Sequence, residues 1–70
     1  MMPLTLCNVG AEQTVQSVGG KPKIRQFLGE LGIVPGGKVT IVSSMAGNLI
    51  LKVKDARVAV SREMAARILV

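Results

Sequence analysis

Histidine, tryptophan and tyrosine are absent from this 70-residue sequence, and cysteine occurs once, at Cys7. The missing histidine removes the commonest general base and the commonest metal-ligating side chain. One thiol can form neither a thiolate cluster nor an internal disulfide. The chain has only four carboxylates, and they are scattered along it: Glu12, Glu30, Asp55 and Glu63. We therefore expect no enzymatic activity, no cofactor and no metal site in this chain.

Aromatic side chains are also scarce, because Phe27 is the only one. Hydrophobic residues make up 49% of the chain, so the core must be built from Leu, Ile, Val and Ala, with Met as filler. A domain of about 60 residues buries only about 60% of the surface that its unfolded chain exposes. Residues 1–70 are therefore predicted to form one domain that leaves aliphatic surface exposed for a partner, and weak self-association stays open.

Acidic residues are outnumbered, and the formal net charge of +5 favours an anionic partner. Nucleic acid is not expected as that partner, because the chain lacks rings on which bases stack and lacks a dense basic run. Direct membrane insertion is not expected either. The longest charge-free apolar run, residues 39–51, is interrupted by Ser, Gly and Asn, and a membrane-spanning helix needs roughly 20 apolar residues. The lone thiol is typical of a reducing compartment such as the cytoplasm.

The spacing of apolar residues in the first half predicts two strands and a helix. Leu4–Leu6 and residues 13–18 alternate apolar and polar side chains, as short strands do. Pro22 is typical of a first helical position. The residues after it have the i, i+3, i+4, i+7 spacing of one apolar helix face, which consists of Ile24, Phe27, Leu28 and Leu31.

The segment ELGIVPGGKV, residues 30–39, is predicted to be a rigid corner between this helix and the next strand. Gly32 falls where a helix commonly ends in a left-handed residue. Pro35 and Gly36 fit the two central positions of a type II turn. We assign a structural role to five corner residues: Leu31, Gly32, Ile33, Pro35 and Gly36.

The second half predicts a hairpin, a further strand and a short helix. A strand at residues 38–44 is followed by a two-residue turn at Gly47-Asn48 and by a strand with alternating side chains. After a turn at Asp55-Ala56, the segment 57–60 predicts another strand, with Val58 and Val60 inside. Ser61 is expected to cap the last helix, and residues 68–70 are expected to pair with the first strand. Five or six strands with one or two short helices indicate a mainly β fold, a small and partly open barrel.

The order of these motifs resembles the ferrous iron transport protein A (FeoA) family. The corner, with Leu31-Gly32, an apolar pair and Pro35-Gly36, carries the resemblance together with the closing segment VAVSRE, residues 58–63. The resemblance covers essentially the whole chain. It implies an SH3-like barrel that acts as a cytoplasmic accessory or regulatory protein, docks on a membrane ferrous-iron permease with a GTPase domain, and supports ferrous iron uptake. It also implies that the corner forms one wall of a docking groove.

Two other functional classes stay open. A nucleic-acid-binding SH3-like barrel is one, because PGGKV at residues 35–39 loosely resembles ribosome-associated motifs of that fold. The other is a metal-sensing domain related to the C-terminal domain of iron- and manganese-dependent repressors, although the chain supplies no DNA-binding helices. The missing ligand residues lead us to expect that ferrous iron binds no tighter than about millimolar.

Strand alternation also predicts a docking surface. With Leu49, Leu51 and Val53 facing the core, the side chains between them must face outward. Arg57, at the start of the next strand, is expected to lie near them. An aliphatic centre with a basic rim would suit an acidic, partly apolar partner, whereas an ordinary solvated strand face is the alternative. The predicted docking residues are Ile50, Lys52, Lys54 and Arg57.

Overall fold

Six short strands in two antiparallel sheets form the framework of the computed structural model, which describes residues 1–70. The strands are β1 (Glu12–Thr14), β2 (Ser17–Val18), β3 (Lys38–Met45), β4 (Asn48–Val53), β5 (Ala56–Ser61) and β6 (Ile68–Leu69). The larger sheet has the order β1-β3-β4-β5, and β2 pairs with β6. The helices are α1 (Pro22–Glu30) and α2 (Arg62–Ala65). The prediction of a mainly β, partly open small barrel is confirmed.

The core is aliphatic, as the composition predicts. Twelve residues are buried and all of them are hydrophobic: Leu4, Val15, Leu28, Ile33, Val39, Ile41, Leu49, Leu51, Val53, Val60, Ala65 and Ile68. They line the inner face of the larger sheet and the elements that cover it. Val58, predicted to be inside, is only partly buried and packs against this cluster.

The N-terminal strand prediction is wrong, because Leu4–Leu6 forms a short 3-10 helix. The amide groups of Leu6 and Cys7 donate to the carbonyl oxygens of Pro3 and Leu4 at 3.0 and 2.9 Å. This turn buries Leu4 completely and leaves Leu6 71% exposed. An alternating pattern of only three residues fits a strand as well as a 3-10 turn, so the sequence could not distinguish them. The C-terminal tail pairs instead with the residues before the turn, where Met2 and Val70 exchange two backbone hydrogen bonds of 2.9 and 2.8 Å.

The strand predicted over residues 13–18 is divided in two. Its first part, β1, pairs with β3, and its second part, β2, pairs with β6. Val15 lies between them and is 1% exposed. Its amide donates to the carbonyl oxygen of Gly37 and its own carbonyl accepts from the amide of Gly36, both at 2.8 Å. One alternating segment therefore changes partners at Val15 and joins the two sheets.

Both predicted hairpin turns lie one residue too late. Met45 pairs with Asn48, so the β3–β4 turn consists of Ala46 and Gly47, with φ angles of 44° and 84°. Positive φ at both central residues is the pattern of a type I′ turn, whose twist matches that of the flanking strands. The β4–β5 turn consists of Lys54 and Asp55, since the strand residues on either side pair with each other.

Helix α1 has nine residues, and its apolar face is narrower than predicted. Leu28 is fully buried, and Ile24 and Leu31 pack partly against the core. Phe27 is 42% exposed, so its assignment to the inner face is wrong. The other three residues follow i, i+4, i+7 spacing and pack in or against the core, which leaves the ring at the border of the apolar stripe. Neither helix has the length and apolar character needed to cross a membrane.

Candidate interaction surface

The outer face of the larger sheet, opposite the core, carries two rows of side chains from neighbouring strands. Strand register places Thr40 opposite Lys52, and Lys52 opposite Arg57 on β5. At the other end of this first row, Glu12 of β1 lies opposite Thr40. The row therefore runs acidic, neutral, basic, basic. Directly opposed side chains in a sheet have Cβ atoms about 4.5–5.5 Å apart, so these groups affect one another.

The second row contains Ile50, the apolar member of the predicted docking residues. Ile50 lies opposite Ser43 on one side and Ala59 on the other, and it is partly buried. The expectation that Ile50 is forced fully outward is therefore too strong. A register shift between Ile41 and Ser43 leaves Val42 without a strand partner, and such bulges bend the strand that carries them.

Three of the four predicted docking residues thus share the outer face, and the fourth lies beside it. Lys52 and Arg57 are exposed and directly opposed, and Ile50 lies in the adjoining row. Lys54 is exposed too, but it is in the β4–β5 turn with a φ of 57° and not in a strand. Left-handed backbone at a lysine is uncommon, and alternation alone could not predict it. We refer to Ile50, Lys52, Lys54 and Arg57 as the docking patch.

A polar cavity of about 400 Å³ overlaps the docking patch, with which it shares Lys52 and Lys54, and no hydrophobic residue lines it. Its lining residues come from β1, the corner, β3 and the end of β4: Glu12, Gly36, Gly37, Lys38, Thr40, Lys52 and Lys54. Lys38 is held in place because its Nζ donates to Oγ1 of Thr14, the residue opposite it on β1, at 2.6 Å. Three lysines and one carboxylate therefore converge on one concave surface.

Sequence reasoning missed Glu12, Lys38 and Thr40 as members of this site. A signal for Lys38 and Thr40 was present, because Val39 and Ile41 face the core and the residues alternating with them must face outward. No comparable signal existed for Glu12. Its place depends on β1 pairing with β3, a long-range contact that the local pattern does not encode.

The corner between α1 and β3 begins with a glycine in left-handed conformation. Gly32 has a φ of 92°, as expected at this helix end. Its amide donates to the carbonyl oxygen of Gly29, and the amide of Ile33 donates to that of Leu28, both at 2.9 Å. This pair of bonds is the Schellman motif, which satisfies carbonyl groups at a helix end. Ile33 and Leu28 are both buried, so the motif fixes the direction in which the chain leaves the helix.

The corner continues as the predicted turn. Gly36 has a φ of 88°, and the amide of Gly37 donates to the carbonyl oxygen of Val34 at 2.9 Å, which closes a four-residue turn around Pro35. A Cβ on Gly37 would lie 3.1 Å from that same carbonyl oxygen. The two hydrogen bonds to Val15 hold the turn against the strand pair, and the turn's two glycines form part of the cavity lining.

Metal-ligating side chains do not converge anywhere in the structure: no three His, Cys, Asp or Glu residues lie close enough to share an ion. Cys7 carries a free thiol that is partly buried and packs against the core. The cavity contains one carboxylate among its seven lining residues. Its donor set is therefore cationic, which suits an anion and not a metal ion.

Comparisons with known proteins agree on one small domain type. Residues 2–70 match the model of the FeoA domain family. A crystal structure of an iron uptake regulatory protein (FeoA) superposes with a TM-score of 0.86 at 30% identity, covering 96% of this chain and 89% of that one. A manganese-dependent transcriptional repressor superposes with a TM-score of 0.82 at 20% identity, covering 94% of this chain and 38% of the repressor, which shows a shared fold alone. Comparison with curated proteins gives no match.

Proposed function

Because this chain belongs to the FeoA domain family, we propose that it is a small accessory protein of ferrous iron transport. In the finer form of this proposal, the protein docks on the cytoplasmic side of a membrane ferrous-iron permease that carries a GTPase domain. Docking then supports or regulates ferrous iron uptake, and the accessory protein itself performs no chemistry. The family and the 30% identical FeoA structure support the role in iron transport, and the docking patch supports the mode of action.

The observation that carries the docking proposal is the pairing of Lys52 with Arg57 on the outer face. Like charges directly opposite each other destabilise a sheet, so this pair does not serve the fold. Carboxylates on a partner would relieve the repulsion and would gain charge-assisted hydrogen bonds. Ile50, in the adjoining row, adds a partly exposed apolar surface at the edge of the charged pair. A basic rim beside an apolar centre suits an acidic partner surface, with the charges mainly setting encounter rate and specificity.

A double charge reversal tests this surface. Lys52→Glu with Arg57→Glu keeps both residues solvent-exposed, so folding should persist, while co-purification with the permease and ferrous iron uptake in cells should be lost. The matched control is Lys23→Glu with Arg25→Glu, which makes the same change in net charge at two exposed positions on α1. Loss of docking in both variants would show that the change in net charge, and not this surface, is responsible. Loss in neither variant would place the interaction on another surface.

Ile50 needs a milder substitution, because it is partly buried. Ile50→Thr retains the β-branched shape that strands favour and removes only apolar surface. We expect weaker co-purification with little change in the thermal unfolding midpoint. Unchanged co-purification would restrict the interaction to the charged residues.

We also propose that this role does not require iron binding by the chain. The support is chemical: without histidine, and with one thiol and four scattered carboxylates, the chain offers a poor ligand set for ferrous iron. Anaerobic calorimetry with ferrous iron should show no saturable binding below about millimolar concentrations. Stoichiometric binding at micromolar iron would favour a metal sensor or chaperone instead.

A further inference from the structure

The polar cavity next to the docking patch has the size of a ligand site but not the usual lining. Small-molecule sites commonly have volumes of about 300–1,000 Å³ and are lined mostly by apolar and aromatic side chains. This cavity has about 400 Å³ and no hydrophobic lining residue. Such a lining favours a charged, hydrated ligand that is held mainly by ionic contacts.

The charges in the cavity specify an anion. Lys38, Lys52 and Lys54 supply three ammonium groups against the single carboxylate of Glu12, which leaves a net charge of +2. Each ammonium carries three donors and no acceptor. The bond from Lys38 to Thr14 uses one donor of Lys38 and orients the others. Three ammonium groups around one concave surface repel one another, and an anion bound among them would neutralise that repulsion.

The spacing of these charges indicates a ligand that carries several negative groups. Lys38 is two residues, or about 7 Å, along β3 from the row that contains Lys52, and Lys54 is two residues beyond Lys52 in the β4–β5 turn. One carboxylate supplies a single negative charge, fewer than the net two positive charges of the cavity. A chain of linked phosphates supplies several, and lysine is a common point-charge ligand for phosphate.

The corner leaves room for such a ligand without binding it through the backbone. Gly36 and Gly37 line the cavity with no side chain. Their amide groups already donate to the carbonyl oxygens of Val15 and Val34, at 2.8 and 2.9 Å. The site is thus unlike a glycine-rich phosphate loop, in which free amides cradle the anion. Recognition must depend on the lysine side chains, so side-chain substitutions can test it directly.

From these observations we propose that the cavity binds a polyphosphate group, either free or as the phosphate chain of a nucleotide. The proposal does not depend on permease docking. Lys38 and Glu12 belong to the cavity and not to the docking patch, whereas Arg57 belongs to the docking patch alone. Variants at these three positions therefore separate the two ideas.

Calorimetric titration of the full chain at low ionic strength tests the ligand class with three probes: pyrophosphate, ATP and citrate. We expect pyrophosphate and ATP to bind at one site per chain with similar affinities, and citrate to bind more weakly. Binding of ATP without binding of pyrophosphate would overturn the assignment of the phosphate chain as the recognised group. Equal binding of citrate, or no saturable binding of pyrophosphate, would overturn the proposal as well.

Two substitutions with opposite expected effects test the site itself. Lys38→Gln should weaken pyrophosphate binding by roughly five- to tenfold, because one close ionic contact is lost. Glu12→Gln should strengthen it by roughly two- to fivefold, because a repulsive charge is removed. A purely structural role would not produce a gain in affinity.

Lys23→Gln, at an exposed position on α1, makes the same change in charge as Lys38→Gln and should leave the affinity unchanged. Equal affinities in all three variants would refute the site.

A last comparison keeps this result separate from the docking proposal. Lys38→Gln should still co-purify with the permease, and Arg57→Glu should still bind pyrophosphate. If Lys38→Gln binds pyrophosphate as the unmodified protein does, the cavity proposal fails while docking stands. If Arg57→Glu co-purifies normally and Lys38→Gln loses pyrophosphate binding, the docking proposal fails while the cavity proposal stands.

Discussion

Strand β4 has one face toward the core and one toward solvent, so alternate residues along it lie in opposite environments. Toward the core, Leu49, Leu51 and Val53 are each 3% exposed or less. Toward solvent, Lys52 is exposed and opposite Arg57, while Ile50 keeps part of its surface accessible. The backbone hydrogen bonds serve both faces equally, so the difference between them comes from side chains alone.

This difference separates stability from recognition. Complete burial of a Leu or Val side chain is worth about 1.5–3 kcal/mol, and all six buried residues of the larger sheet lie on its inner face. The outer face gains no such energy, and its opposed cations reduce stability slightly. Substitutions that affect folding should therefore lie on the inner face, and substitutions that affect binding should lie on the outer face.

The largest effect is expected at the centre of the inner face. Leu51→Ala should reduce the free energy of unfolding by about 2–5 kcal/mol, because it removes buried methyl groups and leaves a cavity. Small proteins have a total stability of only about 5–15 kcal/mol, so the variant should unfold at a much lower urea concentration. Lys52→Ala, at the adjacent outer position, is the matched control. Similar unfolding midpoints for the two variants would contradict the division between the faces.

The corner packs against the inner face of the sheet, and a substitution in the corner should have the next largest effect on stability. A Cβ on Gly32 would lie 3.2 Å from Cγ1 of Val53, and the φ of 92° is unfavourable for a β-branched residue. Gly32→Val should therefore lower the free energy of unfolding by about 1–3 kcal/mol.

Gly29→Ala provides the control for Gly32→Val in the same chemical denaturation experiment. Gly29 is within α1, its φ is not positive, and a Cβ there would meet no atom within 4 Å. Replacing a helical glycine by alanine should raise stability by about 0.5–1 kcal/mol. If both substitutions changed stability in the same direction, conformational strain at Gly32 would not be the cause.

The two faces also differ in how far the sequence could predict them. Alternation along β4 identified Leu49, Leu51 and Val53 as core residues and Lys52 as an outer residue, because a side-chain period of two is a local property. The charged lining of the cavity was not predicted, since Glu12 reaches it only through the pairing of β1 with β3. Nor could alternation show that Ile50 is partly covered, because the register shift in β3 depends on the assembled sheet.

Helix ends and turns show the same distinction between local and long-range information. The left-handed Gly32 was predictable because the backbone conformation itself selects glycine. The hairpin turns were misplaced by one residue, since Ala46 and Lys54 take positive φ angles that their residue types do not favour. Strand pairing on both sides fixes those turns and outweighs the local preference.

Ser61, at the end of β5, is a polar residue that should contribute to stability. Its Oγ accepts a hydrogen bond from the amide of Met64 at 3.1 Å and caps α2, as predicted. Ser61→Ala should lower the free energy of unfolding by about 1 kcal/mol. Ser44→Ala is the control, because Ser44 is exposed and only accepts a hydrogen bond from Arg62; it should change stability by less than about 0.5 kcal/mol. Equal losses would mean that capping is not the reason.

The smallest expected effect has the opposite sign. Lys52→Gln removes one member of the opposed pair Lys52 and Arg57, so it should raise the free energy of unfolding by about 0.2–1 kcal/mol at low ionic strength. The gain should shrink as salt is added, because the screening length falls to about 10 Å at 0.1 M.

Lys23→Gln removes the same charge from an exposed helix position and corrects for the general effect of lowering a net charge of +5. Urea denaturation of both variants at low and high salt measures the difference. A loss of stability in Lys52→Gln relative to Lys23→Gln would show that the outer face also stabilises the fold, and the division between the two faces of β4 would then fail.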